Sequence, residues 1–430
     1  MVTLFLFSSL PNRAHITTAN MRVSTLSLLT SSIAAPAVLA VPTIGHIVDG
    51  LLSGSPSNSG LKTPTVHSSK GGHASCVSGY VPVTASTNEN IDFDLSLPKN
   101  QSQVTEFFVA AYSAGSTVAK DINKGEATVS GTYNIYATFC TPKDNPEPKG
   151  VQLLTHGVGF DNTYWDFAED YSYVDVATKY GYATFSYDRL GVGKSEKPDP
   201  IKTIQGPLEV EIAHSLAGLL RQGHFSDLKF QKIVGVGHSF GSIISNAITK
   251  QYPDVLDAAI LTGFSTDLSS QPLFLQALNL ALANENQPLR FGNLNNGFLV
   301  SDTIISNQIG FFKSPGFDPA NLKKAEATKG TVTFGELNSI SALGGPSPAY
   351  SHPVAVVNGI NDLPFCGGNC SYPADAAKAV QPKYYPNVPE GDFGSYLAPL
   401  AGHGLNFHYS AVGAFEYIQK FLVDHKLGMQ

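Results

Sequence analysis

The sequence predicts an α/β fold, with a mostly parallel central sheet, helices on both faces and a helical cap insertion. Three observations predict it. Short, almost wholly apolar runs recur at 151–154, 183–187, 232–236, 258–262 and 353–357. Helix-length spans at 167–180, 207–222, 242–251 and 407–426 accompany them. Strands buried on both faces read as continuous apolar runs, and their alternation with helices marks parallel crossovers. The third observation is an interval of roughly ninety residues before Pro353, far longer than a crossover requires.

The elements follow in order. Residues 21–40 open on Met21-Arg22, continue as an apolar run rich in Leu, Ser and Ala, and end Val38-Leu39-Ala40 with small residues where a signal peptidase reads. This is the pattern of a secretory signal peptide, too short and wrongly flanked for a membrane anchor. Residues 1–20 then form an upstream extension. Residues 41–75, rich in Ser, Gly, Pro and Lys, read as a flexible leader. Alternating apolar residues at 77–85 and 127–141 predict strands that open the sheet. The core is expected over 76–263 and 353–430, with the cap over 264–352 carrying helices at 273–284, 302–312 and 321–329.

The charge of −7 argues against nucleic acid or an anionic membrane as the partner. With no later run long enough to span a bilayer, the expected product is secreted, extracellular and without a stable membrane anchor. The four cysteines lie beyond Ala40, and an even count in an exported chain predicts two disulfides. Cys366-Gly-Gly-Asn-Cys370 closes a tight loop, which leaves Cys76 with Cys140. Sequons at Asn100 and Asn369 permit N-glycosylation. No paired Cys or His motif of zinc type completes the Cys366–Cys370 pair, so no metal is expected.

The chemistry centres on Gly237-His238-Ser239-Phe240-Gly241, which follows a strand run and precedes a helix. A serine on such a sharp turn presents its hydroxyl as a nucleophile, and flanking glycines remove the Cβ atoms that would collide there. His156-Gly157 ends the first core strand, where backbone N–H groups can face a developing oxyanion; Val158, or Gly159, and Phe240 are the expected donors. Neither Asp188 to Ser195 nor Gly235 to Phe240 completes a nucleotide-binding glycine pattern, so no organic cofactor is expected. Asp188-Arg189 reads as a structural ion pair or loop anchor. Asp362, after the strand at 353–357, is the expected acid that orients the histidine, with Asp267 as the alternative. His403, between Gly402 and Gly404, is the expected base, with His408 as the alternative.

Taken together, His156-Gly157, Asp188 to Ser195, Pro207 to Glu211, Gly237 to Gly241, Asp362 and Gly402 to Gly404 resemble the secreted fungal-type α/β-hydrolases, from Cys76 to the C-terminus. The resemblance implies the α/β-hydrolase fold and a triad carried onto Ser239, Asp362 and His403. The expected activity is cleavage of carboxylic esters of small or medium-sized hydrophobic substrates through an acyl-enzyme. Peptidase, thioesterase or lactonase chemistry on the same triad stays open, as does a non-catalytic ligand-binding role.

Overall fold

The computed structural model describes residues 60–145, 148, 150–225 and 228–427. The expected upstream extension, signal peptide and first part of the leader lie outside the described residues. The end of the leader departs from expectation: Lys62–Ser68 (β1) is an edge strand, pairing antiparallel with the start of Ala74–Phe93 (β2). All seven of its residues are exposed. An edge strand with no buried face carries no apolar alternation for a sequence reading to find.

Ten more strands come after these: Asn123–Pro142 (β3), Gly150–Thr155 (β4), Ala183–Tyr187 (β5), Lys232–His238 (β6), Ala258–Thr262 (β7), Ala281–Leu282 (β8), Phe298–Val300 (β9), Val332–Thr333 (β10), Val354–Gly359 (β11) and Phe393–Ala398 (β12). Nine of the strands form one sheet in the order β1-β2-β3-β5-β4-β6-β7-β11-β12. The pairs from β1 to β5 along that order are antiparallel, and those from β5 to β12 are parallel. Every residue of β4, β5, β7 and β11 is buried, as two helix-covered faces demand. The strand order reverses beside β4, with β5 on one side and β6 on the other. Residues leaving the carboxyl ends of β4, β6 and β11 therefore meet at one crevice.

Helix Gly206–Gln222 shows how the faces are covered. Pro207 sits in its first turn, Gly223 at φ 78° ends it, and Leu208, Ile212, Leu216 and Leu220 form a fully buried i,i+4 stripe. Burying each such leucine or isoleucine stabilises the fold by roughly 2 kcal/mol. The expected disulfides are both present: Cys76–Cys140 joins directly opposed residues of β2 and β3, and Cys366–Cys370 closes a loop past β11. No helix among the described residues is long and apolar enough to cross a membrane.

Other features also differ from expectation. The segment between β7 and β11 holds helices Gln271–Leu278, Ile304–Phe311 and Pro319–Thr328, near the expected ones, but it is not wholly helical. The helix expected over 273–284 stops at Leu278, because Asn279 turns to φ 47° and Ala281–Leu282 pairs with β9, which pairs in turn with β10. The sheet also ends on β12, for which no strand was expected. Only Gly394 and Ala398 of that edge strand are buried, so it lacks the continuous apolar run of its neighbours.

The β2–β3 hairpin carries a further unpredicted helix, Gln101–Tyr112, capped by the Asn100 side chain. Gln101 Oε1 accepts from Leu282 N at 2.8 Å and its Nε2 donates to Leu280 O at 3.0 Å. The Phe107 and Phe108 rings lie 5.3 and 5.7 Å from Phe334. The hairpin thus braces the inserted segment.

Candidate active site

β6 ends at His238 and helix Phe240–Gln251 begins two residues later, leaving Ser239 at φ 54°, ψ −115°. A serine at positive φ is strained, at a cost of order 1–3 kcal/mol. Backbone bonds hold it there. Ser239 N donates to Thr262 O at 2.9 Å, and Ser239 O accepts from Ser242 N and Ile243 N at 2.9 and 3.1 Å. The two glycines are sterically required: a Cβ on Gly237 would overlap the Gly241 carbonyl, and one on Gly241 would overlap the Thr155 carbonyl.

The structure brings Ser239, His403 and Asp362 into one hydrogen-bonded line. His403 Nε2 lies 2.8 Å from Ser239 Oγ, and His403 Nδ1 lies 2.6 Å from Asp362 Oδ2. Asp362 Oδ1 accepts from Phe365 N at 3.0 Å, so both carboxylate oxygens are satisfied. All three side chains are buried. An Nδ1–H donated to the carboxylate leaves the Nε2 lone pair facing the serine hydroxyl.

The alternatives lie elsewhere. Asp267 is an exposed turn residue whose Oδ1 accepts from Ser269 N at 2.9 Å, and that bond lowers its pKa. His408 is buried behind the His403 loop. Its Nε2 accepts from Gly402 N at 3.1 Å and Lys313 N at 2.9 Å, while Nδ1 donates to Gly404 O at 3.0 Å. Two N–H donors on Nε2 require a neutral ring, and burial pushes its pKa down to about 4.

The expected oxyanion donors flank the serine. Phe240 heads its helix, where an N–H has no partner four residues back. Val158 follows Gly157, and a Cβ on Gly157 would lie 2.9 Å from Ser239 Cβ, so only glycine lets this turn approach Ser239. Gly159, the alternative donor residue, sits at φ 79° with its carbonyl bonded to Gly330 N at 2.9 Å.

Behind this turn, buried polar groups lock the loops. His156 Nε2 accepts from Arg189 N at 3.0 Å, and burial, with Arg189 beside it, lowers the His156 pKa far below its usual range. Asp188 accepts from Asn162 N and Lys194 N at 2.9 and 2.8 Å, although burial and nearby Asp161 raise its pKa to about 7. Arg189 is fully buried between Glu209, at 2.6 Å, and Glu336 of the inserted segment, at 2.5 Å. Its guanidinium lies 4.4 Å from the centre of the Phe240 ring. One cation serves two carboxylates, and burial holds Glu209 well above the carboxylate range.

Aromatic rings close over the line. Phe274 and Phe311, from two helices of the inserted segment, lie 5.6 and 6.0 Å from the His403 ring, and Phe365 lies 5.7 Å away. Phe160 packs on Phe311 at 4.7 Å. His238, buried and held neutral by burial and the neighbouring His403, stacks on Tyr164 at 4.5 Å and bonds Thr262 Oγ1 at 3.0 Å. Sequence reading did not single out these aromatic residues. They come from segments that share no spacing, so a pattern of phenylalanines within the insertion could have pointed to Phe274 and Phe311 alone.

Residues 152–414 match the family model described as the alpha/beta hydrolase family. Solved structures similar to this chain include a thermophilic esterase from Thermogutta terrifontis, 16% identical, covering 69% of this chain and 95% of its own, with a TM-score of 0.45. A monoacylglycerol lipase from Paleococcus ferrophilus is 14% identical, covering 68% of this chain and 99% of its own, with a TM-score of 0.46. An epoxide hydrolase from Vigna radiata is 14% identical, covering 68% and 96%, with a TM-score of 0.45.

Proposed function

Because the chain belongs to the alpha/beta hydrolase family, we propose that it is a secreted serine hydrolase that cleaves carboxylic esters of small or medium-sized hydrophobic substrates. The observation that carries this reading is the hydrogen-bonded line from Asp362 through His403 to Ser239. Ser239 Oγ attacks the ester carbonyl as His403 Nε2 takes its proton. Asp362 keeps Nδ1 protonated and stabilises the imidazolium that forms. The N–H groups of Val158 and Phe240 receive the charge on the carbonyl oxygen, in a setting where one such donor is worth about 3 kcal/mol. His403 then protonates the departing alcohol. Water, deprotonated by the same imidazole, releases the acid from Ser239.

Serine at the elbow favours acyl transfer, since opening an epoxide at this position calls for a carboxylate nucleophile. Residues 264–352 act as the cap; Phe274 and Phe311 make its underside apolar, and Phe160 of the loop after β4 packs against Phe311 from the core. Such a cover suits a short acyl or alcohol group and shields the reacting ester from water, but it excludes extended polymers. Export fits the two disulfides and the signal-like residues 21–40. The test is a panel of aryl and alkyl esters, thioesters, lactones and peptides, assayed with the wild type and Ser239→Ala. Short esters should turn over fastest, and only with Ser239 present. A preference for peptides or polymer-bound esters, or equal rates from the two proteins, overturns the reading.

A further inference from the structure

The Cys366–Cys370 disulfide encloses few residues, yet it adjoins the residue that orients His403. Asp362 caps the helix Leu363–Cys366, which is a single turn. One isolated turn is unstable in water, because nucleation fixes several dihedrals for one hydrogen bond. Here that turn supplies two contacts to the reacting groups. The Phe365 N–H donates to Asp362 Oδ1 at 3.0 Å, and the Phe365 ring packs 5.7 Å from the His403 ring.

Past Cys366 the chain returns at once to the strand end. Gly367 and Gly368, at φ 59° and 88°, reverse it in a region that favours glycine. Gly368 N donates to Asp362 O at 2.8 Å, and Cys370 N donates to Ile360 O at 2.9 Å. The disulfide thus ties the end of the turn, one residue past Phe365, to a residue pinned beside the end of β11. A cross-link stabilises a fold mainly by the chain entropy its loop removes, which is small for so short a loop. Cys76–Cys140, with a sequence separation of 64 against 4, is the bridge suited to global stability.

We propose that the Cys366–Cys370 disulfide is a positioning element for Asp362: it holds the Phe365 N–H on Oδ1, so that Oδ2 stays aimed at His403 Nδ1. This rests on the proposed hydrolase function. Without the bridge, the turn frays and a fully buried carboxylate oxygen loses its donor. Asp362 then swings, and His403 loses its fixed orientation.

The test compares the full-length wild type with Cys366→Ala/Cys370→Ala, alone and combined with Asp362→Asn. Expected are a fall in kcat of about tenfold with KM unchanged, a melting temperature close to wild type, and loss of the low-field proton resonance of His403 Nδ1–H. In the Asp362→Asn background, removing the bridge should cost nothing further. Unchanged kcat with an unchanged resonance overturns the proposal, as does an equal loss in the Asp362→Asn background. If the wild type hydrolyses no ester, the proposed function fails while the resonance still decides the role of the bridge. Should the double variant not fold, mild reduction of the native protein by a dithiol gives the same comparison, with the opened pair identified by mass. Cys366 is half-buried, whereas Cys370, Cys76 and Cys140 are buried, so the short bridge is the one a dithiol reaches, through Cys366.

Discussion

His408 Nε2 accepts the backbone N–H of Gly402 at 3.1 Å, so one histidine holds the loop that presents another, His403. The bond requires a neutral His408, and its pKa falls from 6.5 to about 4 on folding. Between those values the unfolded chain binds more protons than the folded one. The stabilisation from the buried neutral ring is full above pH 6.5 and is lost as pH falls towards 4. Its size, from a shift of that extent, is about 3 kcal/mol. His156 and His238, also lowered, act in the same direction, whereas Asp188, raised to about 7, acts oppositely. His408→Gln keeps an acceptor for Gly402 N but removes the titration. Urea unfolding from pH 7 to pH 4 should show a flatter pH dependence in the variant, and parallel curves would contradict this account.

Arg189 lies between Glu209 and Glu336 with no exposure to water, and Glu336 belongs to the inserted segment. Arg189→Leu removes the cation that the two buried glutamates share, which should cost about 3–5 kcal/mol of stability. Replacing both Glu209 and Glu336 by glutamine along with it should recover part of the loss, since no buried charge remains. Denaturant unfolding of the single and triple variants checks the order.

Asp362→Asn should reduce kcat by roughly 10⁴, because an amide at this position presents the wrong histidine tautomer. Asp267→Asn should leave kcat near the wild-type value, since that carboxylate bonds Ser269 N in an exposed turn. Initial rates of the two variants on one short ester decide between them. A larger loss at Asp267 would reassign the acid.

What the sequence made legible was what a local pattern encodes. The core strands are apolar because both faces are covered, and Ser239 sits in a motif whose glycines are forced by contact with Thr155 and Gly241. Asp362 and His403 could be placed by chain order after a strand and before the last helix. β1 and β12 escaped because edge strands bury little. The turn at Asn279 and the strand after it were hidden within a helical apolar spacing. The rings of Phe274, Phe311 and Phe365 meet His403 through tertiary packing alone, to which no sequence spacing corresponds.

The central claim is that Ser239 is the nucleophile, activated by His403. Incubation with a fluorophosphonate probe, followed by peptide mass mapping, tests it most directly. The account predicts one covalent adduct per chain, on Ser239, with labelling abolished by Ser239→Ala and slowed at least about a thousandfold by His403→Ala. An adduct on another serine, or undiminished labelling of the Ser239→Ala protein, would contradict it.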